Sequence, residues 1–539
     1  MKFYFFTLYA FIVLAVTFNS TVSAQNSRIK VDKSEIFKDR GRTSSLLYSA
    51  EDKLGGAVLV RVFYGGDIYM PKLYVVEHYD ANLNLKNHYD IRIEHNRLKA
   101  LFIKDNKVNL IEYRWDKEKK SNDYNVLTAS LNDFKFHSRN LFSISDDYFE
   151  NSSKAGKILR YVRSENRDID ETGEVTFSEN NKLVTFNFDL LDSDKQRHLI
   201  KVYDTDFNKI FEHNLIEDTK DRLFDFNSIA TNESDTTVYF LGKSYKNYLK
   251  KSKIFGKVDY LYKLFKINNK GEKELSFNTN ENFISSLKVL TKNNQLACVG
   301  FYSEKDDDQY MGIVNYQIHP EDFTIKREVF NPFTEQFMID KYGEEKGKRR
   351  RKNEKELKRS LTYRNFHFDD NYNIYLTAEE VYYSQLPNYG GGRHYGMRSG
   401  VLLHFDDILC AKINATGNLE WARNINKIQT SRGIEAEHYS FLSTVKDGIT
   451  YLFINAPREI KELKDGRSVI TTTNLKNLNL YRFEIDSTGN MGYHKIIDSD
   501  EAEVSYKIGE GSVSKPTKNI YFIGSKKIKK QIVRLELQD

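Results

Sequence analysis

Apolar and polar positions alternate along this chain in short bursts, and the bursts repeat one another. A clear instance lies at 408–427, ILCAKINATGNLEWARNINK. Ile408, Cys410 and Lys412 alternate with Leu409, Ala411 and Ile413, which suits a strand buried mostly on both faces; a second strand begins near Leu419. Asn414-Ala415-Thr416-Gly417-Asn418 reads as a tight turn between them. The Asn414 side chain folds back onto the backbone two residues on, and Gly417 reaches positive φ without a Cβ clash.

The same hairpin recurs. FEIDSTGNMGYHKI (483–496) has Asp486 and Gly489 in the matching places, and FKINNKGEKELSF (265–277) has Asn268 and Gly271. KVYDTDFNKIFEHNL (201–215) and EHYDANLNLKNHYDI (77–91) keep Asp204 with Asn208 and Asp80 with Asn84, but carry Phe207 and Leu83 where the glycine stands elsewhere. These two copies are expected to use another turn or to hold that residue at negative φ. YQIHPEDFTIKREVF (316–330) is a degenerate copy, and YRWDKEKKSNDYNVL (113–127) reads as a longer, more charged one.

A second phrase precedes the hairpins: TVYFLGKS (237–244), QLACVGFYS (295–303), NIYLTAEE (373–380), ITYLFIN (449–455) and NIYFIGS (519–525), with weaker forms at 57–66, 98–105 and 182–189. Each is a short strand of Tyr, Phe, Val and Ile. The unit is therefore strand, loop, strand, tight turn, strand, with a fourth strand in the gap before the next unit. Repeated four-stranded units predict a β-propeller. One blade cannot bury both faces alone, whereas a ring of blades can. Eight blades are predicted, or seven if LKALFIKD (98–105) belongs to an irregular first blade. The even recurrence across the chain disfavours the rival architecture of two β-sandwiches. The last unit, ending IVRLELQD, lacks an outer strand, and SRIKVDKSEIF (27–37) is the candidate to supply it and close the ring.

The unit KINATGNLEWARNINKIQ together with NYNIYLTAEE resembles bacterial β-propeller repeats of the SBBP and Kelch-like kind. The stretch from about residue 330 to 455 also resembles uncharacterised exported proteins of Bacteroidota, in which a basic insertion precedes such a strand. The resemblance implies a fold and a bacterial host, and no activity.

The first residues, MKFYFFTLYAFIVLAVTFNSTVSAQ, combine one lysine, an apolar run and Val22-Ser23-Ala24 before Gln25, the pattern of a signal peptide over 1–24. Residues 25–539 then form a single exported propeller domain, secreted, periplasmic or at the cell surface, with no spanning segment in the mature chain. Cys298 and Cys410 fall in predicted strands of different blades and read as small buried hydrophobes.

Charge changes the picture in one place. KYGEEKGKRRRKNEKELKRS (341–360) holds ten basic and four acidic residues, a net of about +6, equal to the formal net charge of the whole chain. The basic excess is thus local. The stretch is expected to be a solvated helix or loop, with Lys348, Arg349, Arg350, Arg351 and Lys352 as candidates for contact with an anionic partner. Nucleic acid is disfavoured by export and by the lack of stacking aromatics in the stretch. A second conspicuous segment, EEVYYSQLPNYGGGRHYGMRSG (379–400), has the tyrosine–glycine composition of a recognition loop, with Tyr389, Arg393, His394 and Tyr395 as binding candidates.

Motifs for catalysis, metal or cofactor binding are not found: there is no G-x-S-x-G, H-E-x-x-H, C-x-x-C or phosphate-binding loop. DTDFN (204–208) hints at calcium but lacks the glycine and distal glutamate of such a loop, and His367, His394 and His404 read as structural. No catalytic residue, metal ligand or cofactor is assigned. The leading expectation is a non-enzymatic propeller that binds a protein or glycan through its loops. The alternatives are a hydrolase or lyase acting on polysaccharide or peptide at the channel mouth, where converging carboxylates would mark it, and a structural part of a cell-envelope complex.

Overall fold

The computed structural model describes residues 29–538 apart from 42, 66–69, 150–171, 193, 221–222, 247–259, 278–281, 305–308, 358–360, 386–400, 432, 473–474 and 476. The predicted leader lies outside the described residues. Eight sheets, each built on an antiparallel four-stranded blade, are arranged as a β-propeller; that of blade 6 also adds the short strand Ser468–Thr472 in parallel. We letter the strands of each blade A to D from the central channel outward. Blades 1 to 7 occupy 44–92, 96–145, 174–217, 224–277, 283–332, 361–431 and 441–497 in order. Each A strand touches the A strand of the next blade, and that of blade 8 returns to blade 1.

The chain ends close the ring as the sequence predicts. Ile29–Lys33 lies antiparallel to the last strand, Lys529–Leu537, with Ile29 opposite Leu537. The outer position of blade 8 is thereby filled from the other end of the chain. The core is divided into wedges between blades rather than gathered in one place. Tyr239, Leu264, Cys298 and Val314 form the wedge of blades 4 and 5; Cys410, Trp421, Leu452 and Phe483 form that of blades 6 and 7. Both cysteines are free thiols within these wedges. The predicted adjacency also holds: Ile374 pairs with Ile413 and Thr377 with Cys410 in blade 6.

Two expectations are corrected. In blade 2, LKALFIKD is the A strand (Asn96–Lys104), and Lys107–Asp116 is the B strand. YRWDKEKKSNDYNVL is then the B–C hairpin, and the C–D turn lies at 131–136. Neighbouring strands of a blade share one period-2 pattern, so the pattern does not say which strand is which. Second, Leu83 and Phe207 do not change the turn. They sit at φ +60° and +64°, and Phe323 of the degenerate copy at +58°, in the left-handed region that Gly417 (+87°) and Gly489 (+91°) use freely. Burial holds them there: all three side chains are almost wholly removed from solvent.

Five inner strands carry a β-bulge at a matching place, between Leu46 and Tyr48, Leu98 and Ala100, Phe226 and Ser228, Ile284 and Ser286, and Tyr363 and Asn365. Each inserts one extra residue beside the channel, among them Lys99 and Arg364, where bulges commonly re-aim a side chain.

Candidate functional site

Because successive strands run antiparallel, every A–B and C–D turn lies on one face of the ring, here called lower, and every B–C and D–A connection on the upper face. The two faces differ in chemistry. On the lower face the turns satisfy themselves. The Asp204 carboxylate accepts from the backbone N–H groups of Asp206 and Asn208 and from the Asn208 amide, each at 2.9 Å. Asp80, Asp369 and Asp486 do the same in their turns, and Asn414 Oδ1 accepts from the backbone N–H groups of Thr416 and Asn418. The acidic residues that hint at calcium are therefore occupied as turn staples.

The A–B turns also meet across the lower mouth of the channel. Lys292 of blade 5 pairs with Glu179 of blade 3 (3.0 Å) and Asp370 of blade 6 (2.9 Å). Glu51 of blade 1 fixes the blade 8 turn by accepting from Ser514, Thr517, Asn519 and Tyr521 at 2.6–2.8 Å. That turn presents Lys515 and Lys518 toward Glu179, and the surrounding protein lowers the pKa of both ammonium groups.

The upper face carries the long connections, and among the described residues those around blades 5 to 7 are the most built up. Two helices, α1 (Glu335–Tyr342) and α2 (Glu344–Lys352), fill the D–A connection between blades 5 and 6. Thr334 caps α1 by accepting from the Phe337 N–H (3.1 Å), and Phe337 and Met338 are buried in the wedge of blades 5 and 6. Asp340 receives Arg423 at 2.6 Å, and Lys341 lies between Glu380 and Asp407. The basic stretch is thus only partly a solvated helix, and this corrects the sequence reading. Its start packs through α1, and its end is tied down where Leu357 exchanges backbone hydrogen bonds with Tyr310 (2.8 and 3.0 Å). Glycine is required where the helices cross, since a Cβ on Gly347 would lie 2.6 Å from the Met338 carbonyl oxygen.

The sequence-predicted cations on α2 separate into three kinds. Lys348 pairs with Glu344 one turn earlier (2.8 Å). Arg350 lies over the Tyr342 ring at 4.3 Å and donates to the Glu356 carbonyl at 2.9 Å. Arg349 and Lys352 are exposed, and Arg351 is half-buried. The second group, Tyr389, Arg393, His394 and Tyr395, lies outside the described residues. The flanking strand ends Gln385 and Val401 pair in blade 6.

Two buried clusters escaped sequence reasoning. In the first, Glu379 is wholly buried and accepts from Lys427 Nζ (2.7 Å), Arg364 Nε (2.8 Å) and Ser440 Oγ (2.6 Å). Burial works to raise the Glu379 pKa, but the two cations outweigh it and hold the carboxyl below its ordinary range; burial leaves the Lys427 ammonium below its own. In the second, the inner strand of blade 8 is interrupted by a 3₁₀ turn, Ile508–Glu510, which touches another, Gly433–His438. Lys507 Nζ meets Glu437 at 2.6 Å and donates to the Ser44 carbonyl at 2.9 Å. Glu510 packs beside Glu437 and Ser45; burial and then the Glu437 charge push its pKa up to about 8. Its Oε2 is buried and makes no hydrogen bond with any described residue. Alternation marks both clusters as strand or loop positions and carries no sign that they converge.

His367 and His404 sit within hydrogen-bonded sheet. His367 faces Asn365 (3.3 Å), and burial pushes its pKa down to about 4. His404 lies between Ser384 (2.7 Å) and Thr430 (3.2 Å), stacked on Tyr382. Among the described residues no group of three or more His, Cys, Asp or Glu side chains is arranged to hold a metal, and no helix is long and apolar enough to cross a membrane.

No protein-family model and no curated protein matches the chain. Among solved structures it is similar to the β-propeller domain of the Trilobed protease from Pyrococcus furiosus: 10% identity, TM-score 0.35, over 86% of this chain and 98% of that one. It is similar to Chaetomium thermophilum Sqt1, solved bound to the N-terminus of the ribosomal protein L10: 10% identity, TM-score 0.36, over 94% and 100%. It is also similar to the Pyrococcus horikoshii acylaminoacyl peptidase, at 9% identity and TM-score 0.33, over 78% of this chain and 59% of the peptidase. Likeness at this level concerns the fold alone.

Proposed function

We propose that the protein is an exported propeller that binds a protein or glycan partner, without catalysis, through the upper face around blades 5 to 7. The observation that carries this reading is the contrast between the faces. Lower-face turns are short and hydrogen-bonded to themselves, and they meet across the channel. The upper face displays the helical insertion with its exposed cations Arg349 and Lys352. Export rests on the leader read at 1–24, so the mature protein should begin at Gln25. Binding to arrays of polysaccharides and acidic peptides tests the reading. The triple variant Arg349→Gln, Lys352→Gln, Lys355→Gln should lose binding. A lower-face variant, Lys270→Gln in an exposed C–D turn, should keep it. Equal binding by both would refute an upper-face site.

A second reading, a hydrolase or lyase, is favoured by Glu437 and Glu510. One carboxyl retains its proton near neutrality beside another that carries an ion pair, a division of roles used in acid–base catalysis. Product formation from a panel of polysaccharides and peptides that disappears in both Glu510→Gln and Glu437→Gln would establish it; turnover unchanged in both would exclude this pair.

A further inference from the structure

We infer that the junction of blades 7, 8 and 1 is a proton-controlled clasp on the closure of the ring: it holds while Glu437 and Glu510 share one proton and weakens as that proton leaves. The clasp depends on neither functional reading above. Three segments meet there. The 3₁₀ turn Ile508–Glu510 of blade 8 lies with its backbone on the turn Gly433–His438 and the residue after it, since a Cβ on Gly509 would fall 2.4 Å from the Tyr439 carbonyl oxygen and 3.1 Å from that of Glu437. Lys507 Nζ joins Glu437 (2.6 Å) to the Ser44 carbonyl (2.9 Å) at the start of blade 1. The third segment links the closing strand to blade 1. In it Phe37 and Lys38 pair with Lys530 and Lys529, and Asp39 accepts from Arg61 (2.7 Å) and from Ser44 Oγ (3.0 Å). The cluster therefore reaches the segment through which the two chain ends hold the ring shut.

One proton matters because the other charges are already balanced. Lys507, Lys530 and Arg61 face Glu437, Asp39 and Glu77, three cations against three carboxylates. Lys507, which also faces Glu510, is paired with Glu437, so ionising Glu510 adds a buried negative charge with no cation left for it. The Glu510 carboxyl is in hydrogen-bond contact with Glu437 and Ser45. Two carboxyls keep such a contact only while one of them holds a proton. Burial and the Glu437 charge accordingly push the Glu510 pKa up to about 8. His438 Nδ1 donates to the Tyr506 carbonyl (2.9 Å), and burial holds its pKa below the ordinary value, so it stays neutral as Glu510 titrates. Blade 7 presents Leu442 and Asn455, and the B strand of blade 8 presents the backbone carbonyls of Tyr521 and Ile523, none of which titrates. Burial also lowers the Lys530 pKa, to about 8. The two signs oppose each other. Glu510, raised from 4.5, weakens the clasp as pH climbs from 4.5 to 8, whereas Lys530, lowered from 10.5, strengthens it between 8 and 10.5. The clasp is therefore weakest near pH 8.

The test is amide hydrogen exchange on the full-length protein, read by mass spectrometry. Wild type is compared with Glu510→Gln at each pH, so that the chemical rate of exchange cancels. From about pH 6.5 to about pH 7.5, opening of Ile29–Lys33 and Lys529–Leu537 in the wild type relative to the variant should rise about tenfold, the limit set by one proton per pH unit. Strand Gly312–His319 of blade 5 should show no such trend. Glu437→Gln removes the second carboxyl and should weaken the trend in the closing strands. If Glu510→Gln does not fold, wild-type exchange corrected with model-peptide rates gives the same reading. A ratio constant with pH in the closing strands would overturn the clasp. So would an equal trend in blade 5, because the proton would then stabilise the whole fold and not its closure. A trend undiminished in Glu437→Gln would assign the proton to burial alone and would overturn the sharing.

Discussion

Replacing Phe207 with glycine removes a residue from a conformation it should dislike, and the structure predicts that the protein becomes less stable. Phe207 stands at φ +64°, which costs a non-glycine residue about 1–2 kcal/mol. Glycine would release that strain and would add backbone entropy to the unfolded chain, costing roughly 0.5–1 kcal/mol. Against this, the ring is 9% exposed, lies 5.7 Å from the ring of Phe102 and belongs to the wedge of blades 2 and 3. Truncating a buried phenylalanine typically costs about 3–5 kcal/mol, more when the site cannot collapse. The balance is a loss of about 2–4 kcal/mol, so packing outweighs strain. Urea denaturation followed by circular dichroism should show a lower midpoint for Phe207→Gly, and limited proteolysis should cut the variant faster between blades 2 and 3. A midpoint equal to or above wild type would refute the reasoning. It would mean that the turn stores more strain than the wedge recovers, and that the aromatic substitutions in these hairpins are tolerated accidents.

Other expectations follow from the same geometry. Gly489→Val should destabilise more than Gly417→Val in thermal melts: a Cβ at 489 falls 2.9 Å from the Trp421 side chain, whereas at 417 the nearest atom, on Val329, is 3.4 Å away. Both add the left-handed strain of about 1–3 kcal/mol, so equal melting would show that the Trp421 contact yields easily. Lys427→Met should cost about 3–5 kcal/mol because it strips Glu379 of a buried partner, and the double variant with Glu379→Gln should recover part of that; a neutral Lys427→Met would mean that Arg364 suffices alone. For Glu510, a folded pKa of about 8 against an ordinary value of 4.5 means that the native state binds more protons between those pH values. Its contribution is fully present below pH 4.5 and is lost as pH rises toward 8, so Glu510→Gln should flatten the pH dependence of the melting temperature in that window. An unchanged slope would place the proton elsewhere.

What the sequence determined by itself is what depends on neighbours a few residues apart. Asn414 reaches its turn partners two and four residues on, and Gly417 needs only its own φ. Alternation within a strand says that both faces are covered, and a repeat of such strands can bury them only against copies of itself, so the ring and its closure by residues 29–33 were readable. The same locality explains the misreading in blade 2, where A and B strands have one pattern and only pairing tells them apart. Leu83 and Phe207 keep a turn their own backbone disfavours because a wedge of distant residues buries them, an energy invisible at the turn itself. Tertiary structure alone decided the chemistry of the upper face. Glu379 meets Ser440 across 61 positions of sequence, and Lys507 reaches Ser44 across 463. The basic stretch read as solvated because charge density is a property of composition. Whether Lys341 pairs in a buried site or Arg349 faces water depends on which side of a helix meets a blade, and that is settled only when the ring has formed.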